Sequence, residues 1–142
     1  VFGFCFVFCC FLFFCFCFCL FVFSTENFGW RRCLEVNIIG VMIGTNVALK
    51  RMKAVEKNGE IVNTASLAGL LTGMGESMIG YCASKHGVVA MTRTLARDCT
   101  DHGVSIKAIC PAFADTDMVS AVREHSKDRV KEEKCLWYKV HV

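Results

Sequence analysis

A phenol and an ammonium stand four residues apart in the stretch GYCASKHGVV, as Tyr81 and Lys85. That spacing places both side chains on one face of a helix. A phenol has a pKa of about 10 and is a poor base at neutral pH, but a positive charge one turn away favours its ionised form. The pair could therefore do acid–base chemistry. The same spacing is common in pairs of exposed helix residues. Whether this pair has a chemical function therefore depends on the elements around it.

Hydrophobic spacing and turn signals predict four elements around this pair. Apolar residues recur at helical spacing before Asn58-Gly59, and β-branched or alternating residues mark two short strands. Gly103 is placed to stop the second helix, and Pro111 to break the second strand. The predicted elements are a helix at about 28–57, a strand at 60–66, a helix at 78–101 and a strand at 104–110.

Strand, helix and strand within about fifty residues predict a βαβ unit, with parallel strands and a right-handed crossover. Both helices would then lie on the same face of the sheet. Ligands of such sheets bind beyond the carboxyl ends of the strands. The residues that we expect at this edge are Ser66, Tyr81, Lys85 and Thr116, with Asn37 in the preceding helix.

Each of these residues also has a purely structural interpretation. Ser66 could cap the end of its strand, and Thr116 could cap a loop. Asn37 could be a solvated helix amide. The 15-residue stretch SLAGLLTGMGESMIG, which connects the strand to the second helix, is long for a structureless connection, and such loops are often functional.

Four stretches, in this order and spacing, resemble the short-chain dehydrogenase/reductase family. They are WRRCLEVNIIGV, GEIVNTASLAGL, GYCASKHGVVAMTRTLA and GVSIKAICPAF, and the likeness covers about residues 30–119. The resemblance implies an α/β fold, the C-terminal part of a Rossmann-like doubly wound parallel sheet (helix-strand-helix-strand), truncated, with the N-terminal half missing.

The resemblance also implies a reaction, hydride transfer between a secondary alcohol or ketone and a nicotinamide cofactor. A hydroxy fatty acid and a prostaglandin are candidate substrates. Tyr81 would be the general base, Lys85 would favour its phenolate, and Ser66 would hold the substrate oxygen. Asn37 would fix a water that relays the proton from Lys85. These four residues are the catalytic set that the resemblance predicts.

The cofactor that the resemblance implies is NAD, with NADP as the alternative. Tyr81, Lys85, Pro111 and Thr116 would contact it, Lys85 through the nicotinamide ribose and Thr116 through the carboxamide. The family's Gly-rich phosphate-binding turn has no counterpart ahead of Asn37 in this sequence. We therefore expect the 142-residue chain alone to bind no NAD. Ala112 also stands where the family usually has Gly.

Residues 1–23 have a composition unlike the rest of the chain. They hold eleven of the thirteen Phe and six of the eleven Cys, and no charge. One interpretation is a gene-model artefact, because every residue here can be written with codons of T and G alone. A second is a membrane span, since about 20 apolar residues cross a bilayer. As polypeptide, alternating Phe and Cys favour a strand over a helix. We divide the chain into 1–23, a partial dehydrogenase domain at 24–119 and a charged tail at 120–142.

The net charge and the cysteines beyond residue 23 limit the classes of partner and site that we expect. A net charge of +3 without a basic, aromatic-rich patch argues against nucleic acid. The cysteines beyond residue 23 are odd in number and widely spaced, which argues against a disulfide framework or a metal site and favours a reducing, cytoplasmic compartment. The family resemblance implies a homo-oligomer paired through the two helices. The alternatives to an active oxidoreductase are an inactive interaction or dimerisation module and a family member tethered to a membrane through residues 1–23.

Overall fold

The computed structural model describes residues 4–8, 29–55, 58–72, 78–112 and 137–140. Within these ranges the chain forms one sheet with two long helices. In chain order the elements are β1 (Phe4–Phe8), α1 (Gly29–Ala54), β2 (Gly59–Thr64), α2 (Ile79–Cys99), β3 (Val104–Pro111) and β4 (Trp137–Val140).

The helix-strand-helix-strand order predicted from the sequence is confirmed at α1, β2, α2 and β3. The second helix ends in a 3-10 turn at Thr100–His102, and Gly103 follows with a φ of 66°. That left-handed conformation favours glycine. A second reason for glycine is space, because a Cβ there would lie 2.2 Å from the side-chain oxygen of Asn58. Gly103 thus turns the chain from α2 into β3, as its position in the sequence indicates.

The sheet has the strand order β1-β2-β3-β4. The predicted parallel pair is present, with Gly59 opposite Val104 and Thr64 opposite Ile109. Two further strands flank it. β1 pairs with β2 in parallel, and β4 pairs with β3 in antiparallel. β1 agrees with the strand preference of alternating Phe and Cys, whereas β4 lies in a tail whose sequence gave no prediction.

Both helices cover the same face of the sheet, as the right-handed crossover requires. Alternate residues of β2 and β3 point to the helices, and these residues are almost fully buried. At the amino-terminal end of the strands the core is apolar. Its buried members are Ala48, Leu49, Met52, Ile61, Cys99, Val104 and Ile106. A second cluster nearer the carboxyl ends contains Val41, Ala65, Val88, Val89, Ala108 and Cys110.

Helix α1 contains one turn of π-helix at Glu35–Ile39. With 26 residues and a mean hydropathy of 1.3 in its most apolar window, it could cross a membrane by length and composition alone. A core helix of an α/β domain passes the same test. Here its buried polar residues Asn37 and Thr45 form hydrogen bonds with α2 and β2, so we interpret α1 as a layer of the domain.

Several sequence-based predictions lie outside the described residues. They are Thr116, the charged segment that follows residue 119, and most of residues 1–23. The domain boundaries at residues 24 and 119 also fall outside the described ranges and stay predictions.

Candidate active site

Tyr81, Ser66 and Lys85 come together at the carboxyl end of β2. Tyr81 lies in the first turn of α2, and the Ser66 side chain forms a hydrogen bond with its phenol. The Lys85 ammonium lies 5.8 Å from the centroid of the Tyr81 ring and donates a hydrogen bond of 3.1 Å to the Thr64 carbonyl. Lys85 is only 3% exposed. The structure thus gathers a phenol, a hydroxyl and a buried cation at one edge of the sheet.

Ser66 caps a turn and also contacts Tyr81, while its predicted role in holding the substrate oxygen stays a prediction. Its backbone is extended, with φ −168° and ψ 163°, and its hydroxyl accepts a 3.2 Å hydrogen bond from the Ala68 amide. It therefore caps the 3-10 turn Leu67–Gly69, while its side chain also reaches Tyr81. The structural interpretation and the functional one are compatible, because one oxygen can accept from an amide and still meet a phenol.

Asn37 is not a solvated amide, since it is 4% exposed within the π-helical turn of α1. Its side-chain amide donates to the Cys33 sulfur and to the Ser84 hydroxyl, each at 3.1 Å. Ser84 in turn donates to the Tyr81 carbonyl at 2.7 Å. Asn37 therefore ties α1 to the turn of α2 that carries Tyr81 and Lys85. Its predicted role in fixing a water stays a prediction.

The protonation of Tyr81 differs from the prediction made from sequence. Burial raises the pKa of Tyr81 to about 12, and the hydrogen bond from Ser66 opposes this rise only in part. The net shift is therefore opposite to the lowering that the sequence predicted. Removing the phenol from water disfavours its ionised form, and this is the largest of the effects on its pKa. In this structure Tyr81 is a neutral phenol at physiological pH.

Of the two remaining cofactor residues, only Pro111 is described. It is the last residue of β3, half-buried, and its backbone lies opposite Trp137 of β4. Thr116 lies outside the described residues. In the part of the chain that the structure describes, no group of three or more Cys, His, Asp or Glu could hold a metal ion.

Two groups of residues at this site were not found by sequence reasoning. Ser84 and Cys33 are the partners of Asn37, and helical spacing could have indicated both, since Ser84 shares a face with Tyr81 and Cys33 precedes Asn37 by four residues. Burial raises the pKa of the Cys33 thiol, so this partner stays protonated.

The second group is a buried chain of hydrogen bonds in the middle of the domain. The Thr45 hydroxyl donates to the Asn63 side-chain oxygen at 3.1 Å, and the Asn63 amide donates to the Thr92 hydroxyl at 3.1 Å. Thr92 donates to the Val88 carbonyl at 2.7 Å. The three side chains are at most 1% exposed. They link α1, β2 and α2, and the signal for them was a polar Asn63 inside a strand that the sequence predicts to be buried.

Comparison with known proteins agrees with this fold. The family model described as short chain dehydrogenase matches residues 21–127. Human 15-hydroxyprostaglandin dehydrogenase [NAD(+)] is 34% identical over 118 residues, covering 72% of this chain and 44% of that protein. The 3beta-hydroxysteroid dehydrogenase 2 of Eggerthella lenta is 38% identical over 98 residues, covering 69% and 37%.

A solved structure shows the same fold. A short-chain type dehydrogenase/reductase from Mycobacterium marinum superposes with a TM-score of 0.66 at 23% identity, covering 73% of this chain and 41% of that one. The chain thus spans less than half the length of the relatives that it matches. Since the family model matches most of the chain, and the resemblance noted from its motifs falls in the same region, the chain belongs to the short-chain dehydrogenase family.

Proposed function

We propose that this chain carries the acid–base half of a nicotinamide-dependent oxidoreductase that interconverts a secondary alcohol and a ketone. The observation that carries the proposal is the hydrogen bond between Ser66 and Tyr81, beside the buried ammonium of Lys85. Among the substrates of this class, a hydroxy fatty acid or a prostaglandin is our first candidate, because the human relative is named for a hydroxyprostaglandin.

In the direction of ketone reduction, Tyr81 acts in the protonation state found here. Ser66 donates a hydrogen bond to the ketone oxygen and orients it toward the phenol. As the carbonyl carbon becomes tetrahedral, its oxygen gains negative charge and takes the Tyr81 proton. Once the substrate oxygen is protonated, the single Ser66 proton turns to the resulting phenolate, which also gains attraction from the Lys85 cation. In alcohol oxidation the same atoms work in reverse, and Tyr81 accepts the proton.

The residues at this edge fit a nicotinamide nucleotide. An ammonium supplies several hydrogen-bond donors, which suits the hydroxyls of a ribose, and Lys85 brings one to the carboxyl end of β2. The Thr64 hydroxyl beside it is buried without a hydrogen-bond partner among the described residues, as expected where a polar ligand group belongs. The cofactor supplies or accepts the hydride, because no side chain can. We propose that the cofactor is held by Lys85, Tyr81, Pro111 and Thr116.

A hybrid enzyme tests the function. Residues 29–112 would replace the matching segment of human 15-hydroxyprostaglandin dehydrogenase, whose own N-terminal half stays in place. We expect NADH-dependent reduction of a ketone, followed by NADH absorbance. Tyr81→Phe should lower turnover about 10²–10⁴-fold, because proton transfer is lost. NADH binding, measured by fluorescence, should persist in the variant.

Circular dichroism and the unmodified relative provide the controls for this test. A folded hybrid that binds NADH without turnover, or a Tyr81→Phe hybrid within about twofold of its parent, contradicts the proposed chemistry. Turnover that depends on Tyr81 supports it.

We also propose that two copies of the chain associate through α1. The support is a row of large apolar side chains on that helix, each between 42% and 60% exposed: Trp30, Ile39, Met42, Ile43 and Val47. Most of these recur at three- or four-residue spacing, so they form one face that a second helix could cover. The same face supports the second candidate function, a dimerisation module without catalysis.

Sedimentation of the chain tests this association. We expect a dimer at micromolar concentration, and Ile43→Glu should convert it to a monomer because the variant buries a charge. Lys53→Glu, an exposed position on the same helix, is the charge control and should stay dimeric. A monomeric parent chain contradicts the association. A dimer whose hybrid lacks turnover favours the dimerisation module over the enzyme.

For location, we propose the cytoplasm. The support is that the four described cysteines beyond residue 23 are free thiols, of which three are buried. The alternative, tethering through residues 1–23, predicts a chain that stays with membranes after a carbonate wash. Fractionation of a tagged chain distinguishes the two.

A further inference from the structure

Gly69 brings the Ser66 turn into close contact with helix α2. A Cβ built on Gly69 would lie 2.6 Å from the Lys85 carbonyl oxygen and 2.9 Å from the Lys85 carbonyl carbon. Both atoms belong to the backbone of α2, so rotation of a side chain cannot relieve the overlap. The turn therefore sits directly on the helix because residue 69 has no side chain.

Hydrogen bonds within the turn connect Gly69 and Ala68 to Ser66. The Gly69 amide donates to the Ser66 carbonyl at 2.8 Å, and the Ala68 amide donates to the Ser66 hydroxyl at 3.2 Å. The Ala65 amide donates to the Ile109 carbonyl at 2.8 Å, which fixes the other side of Ser66 to β3. A displacement of Gly69 away from α2 is therefore transmitted to Ser66 through the turn, against the anchor on β3.

The other member of the pair is fixed to the same helix. Tyr81 and Lys85 are one turn apart on α2, so the Lys85 carbonyl that Gly69 contacts belongs to the helix that carries the phenol. The gap at Gly69 therefore sets how far the Ser66 hydroxyl stands from the Tyr81 hydroxyl.

We propose that Gly69 is a positioning residue, whose missing side chain sets the distance at which Ser66 meets Tyr81. The proposal rests on the function given above, in which these two hydroxyls share one substrate oxygen. An added methyl would have to move from 2.6 Å to at least 3.4 Å to reach ordinary contact with the Lys85 oxygen. A movement of this size weakens a hydrogen bond strongly. Gly69 acts on catalysis through Ser66, without touching substrate.

The test measures the pKa of the Tyr81 phenol in the full chain and does not depend on catalytic turnover. The sequence has two tyrosines, so a Tyr138→Phe chain labelled with fluorotyrosine gives one fluorine NMR signal, from Tyr81. Fluorination lowers the pKa of the phenol, so its titration can be followed at a lower pH. Because the Ser66 hydrogen bond lowers the pKa of Tyr81, its loss should raise that pKa.

Four variants are compared in this background. Ser66→Ala should raise the Tyr81 pKa by about 1. Gly69→Ala should raise it in the same direction, by half of that or more. In the Ser66→Ala chain, adding Gly69→Ala should cause no further rise, since the two changes act through one hydrogen bond. Gly40→Ala is the matched control, because its Cβ would meet its nearest atom at 3.8 Å, and it should leave the pKa unchanged.

The proposal is overturned if Gly69→Ala leaves the pKa where Gly40→Ala leaves it. It is also overturned if Gly69→Ala raises the pKa equally with and without Ser66. If the Gly69→Ala chain does not fold, the proposal is tested by a nuclear Overhauser contact between the Gly69 α protons and the backbone of α2. Its presence in the parent chain beside a folded Gly40→Ala chain supports the proposal, and its absence contradicts it. A hybrid without turnover would refute the proposed function but not this result.

Discussion

The two ends of the interface between α2 and the sheet are built from different chemistry. At the carboxyl ends of the strands, Tyr81 and Lys85 are held by Ser66, the Thr64 carbonyl and a glycine contact. At the other end the same helix packs in an apolar cluster centred on Ile61, which is 1% exposed. Hydrogen bonds and backbone contacts fix positions, whereas apolar packing supplies stability with less directional demand. The comparison indicates that one end secures the fold and the other sets the geometry of the site.

The largest change in stability should come from the apolar end. Ile61→Ala should lower the free energy of unfolding by about 4 kcal/mol, because it removes buried methyl groups and leaves a cavity. The Tyr81 pKa should stay as in the parent. Ile79→Ala, at a position that is 67% exposed, is the control and should change stability by less than about 0.5 kcal/mol. Urea unfolding measures both. A change in the Tyr81 pKa without unfolding would show that the two ends are coupled.

The next effect belongs to the site and depends on pH. The pKa of Tyr81 is about 12 in the folded chain, against 10.0 for an unperturbed tyrosine. Between these values the unfolded chain has lost the proton and the folded chain keeps it. The contribution of the buried, protonated phenol to stability is therefore fully present below pH 10, and it is lost as the pH rises through 12.

We measure this effect as a difference between the parent and Tyr81→Phe. Their difference in unfolding free energy should fall by about 2 kcal/mol between pH 9 and pH 12, since each pKa unit corresponds to about 1.4 kcal/mol and the phenol of the folded chain is half ionised at pH 12. Groups common to both chains cancel. A difference that stays constant over this range would mean that the phenol is not buried.

A smaller effect should come from the polar network between the two ends. Thr92→Val removes the hydroxyl that accepts from Asn63, and should cost about 2 kcal/mol because the Asn63 amide is left buried without its partner. Thr94→Val is a matched control two residues along. Its exposed hydroxyl donates to the Ala90 carbonyl at 3.0 Å, so its loss should cost less than about 0.5 kcal/mol. Equal costs for the two variants would show that the network adds no stability.

Sequence patterns predicted the central elements because those elements depend on local spacing and turn chemistry. The parallel pair of β2 and β3 follows from two short β-branched strands that flank one helix. The pairings of β1 with β2 and of β4 with β3 were not predicted, because residues 1–23 fitted several interpretations and the tail showed no pattern by which to place it.

Within the site, the sequence identified which residues meet but not the environment of the pair. Tyr81 and Ser66 were expected together, and the structure joins them. The direction of the Tyr81 pKa shift was wrong, because a four-residue spacing gives the position of Lys85 and says nothing about how deeply the phenol is buried. The partners of Asn37 depend on how α1 packs against α2, which no local pattern specifies.

The most direct test of the account asks whether Ser66 and Tyr81 act as one unit. In the hybrid enzyme, turnover would be measured for Ser66→Ala, Tyr81→Phe and the double variant. We expect each single change to reduce turnover about 10²-fold or more, and the double variant to be no slower than Tyr81→Phe alone, because groups that act together are not additive. Losses that multiply in the double variant, or a Tyr81→Phe hybrid as active as its parent, would contradict the account.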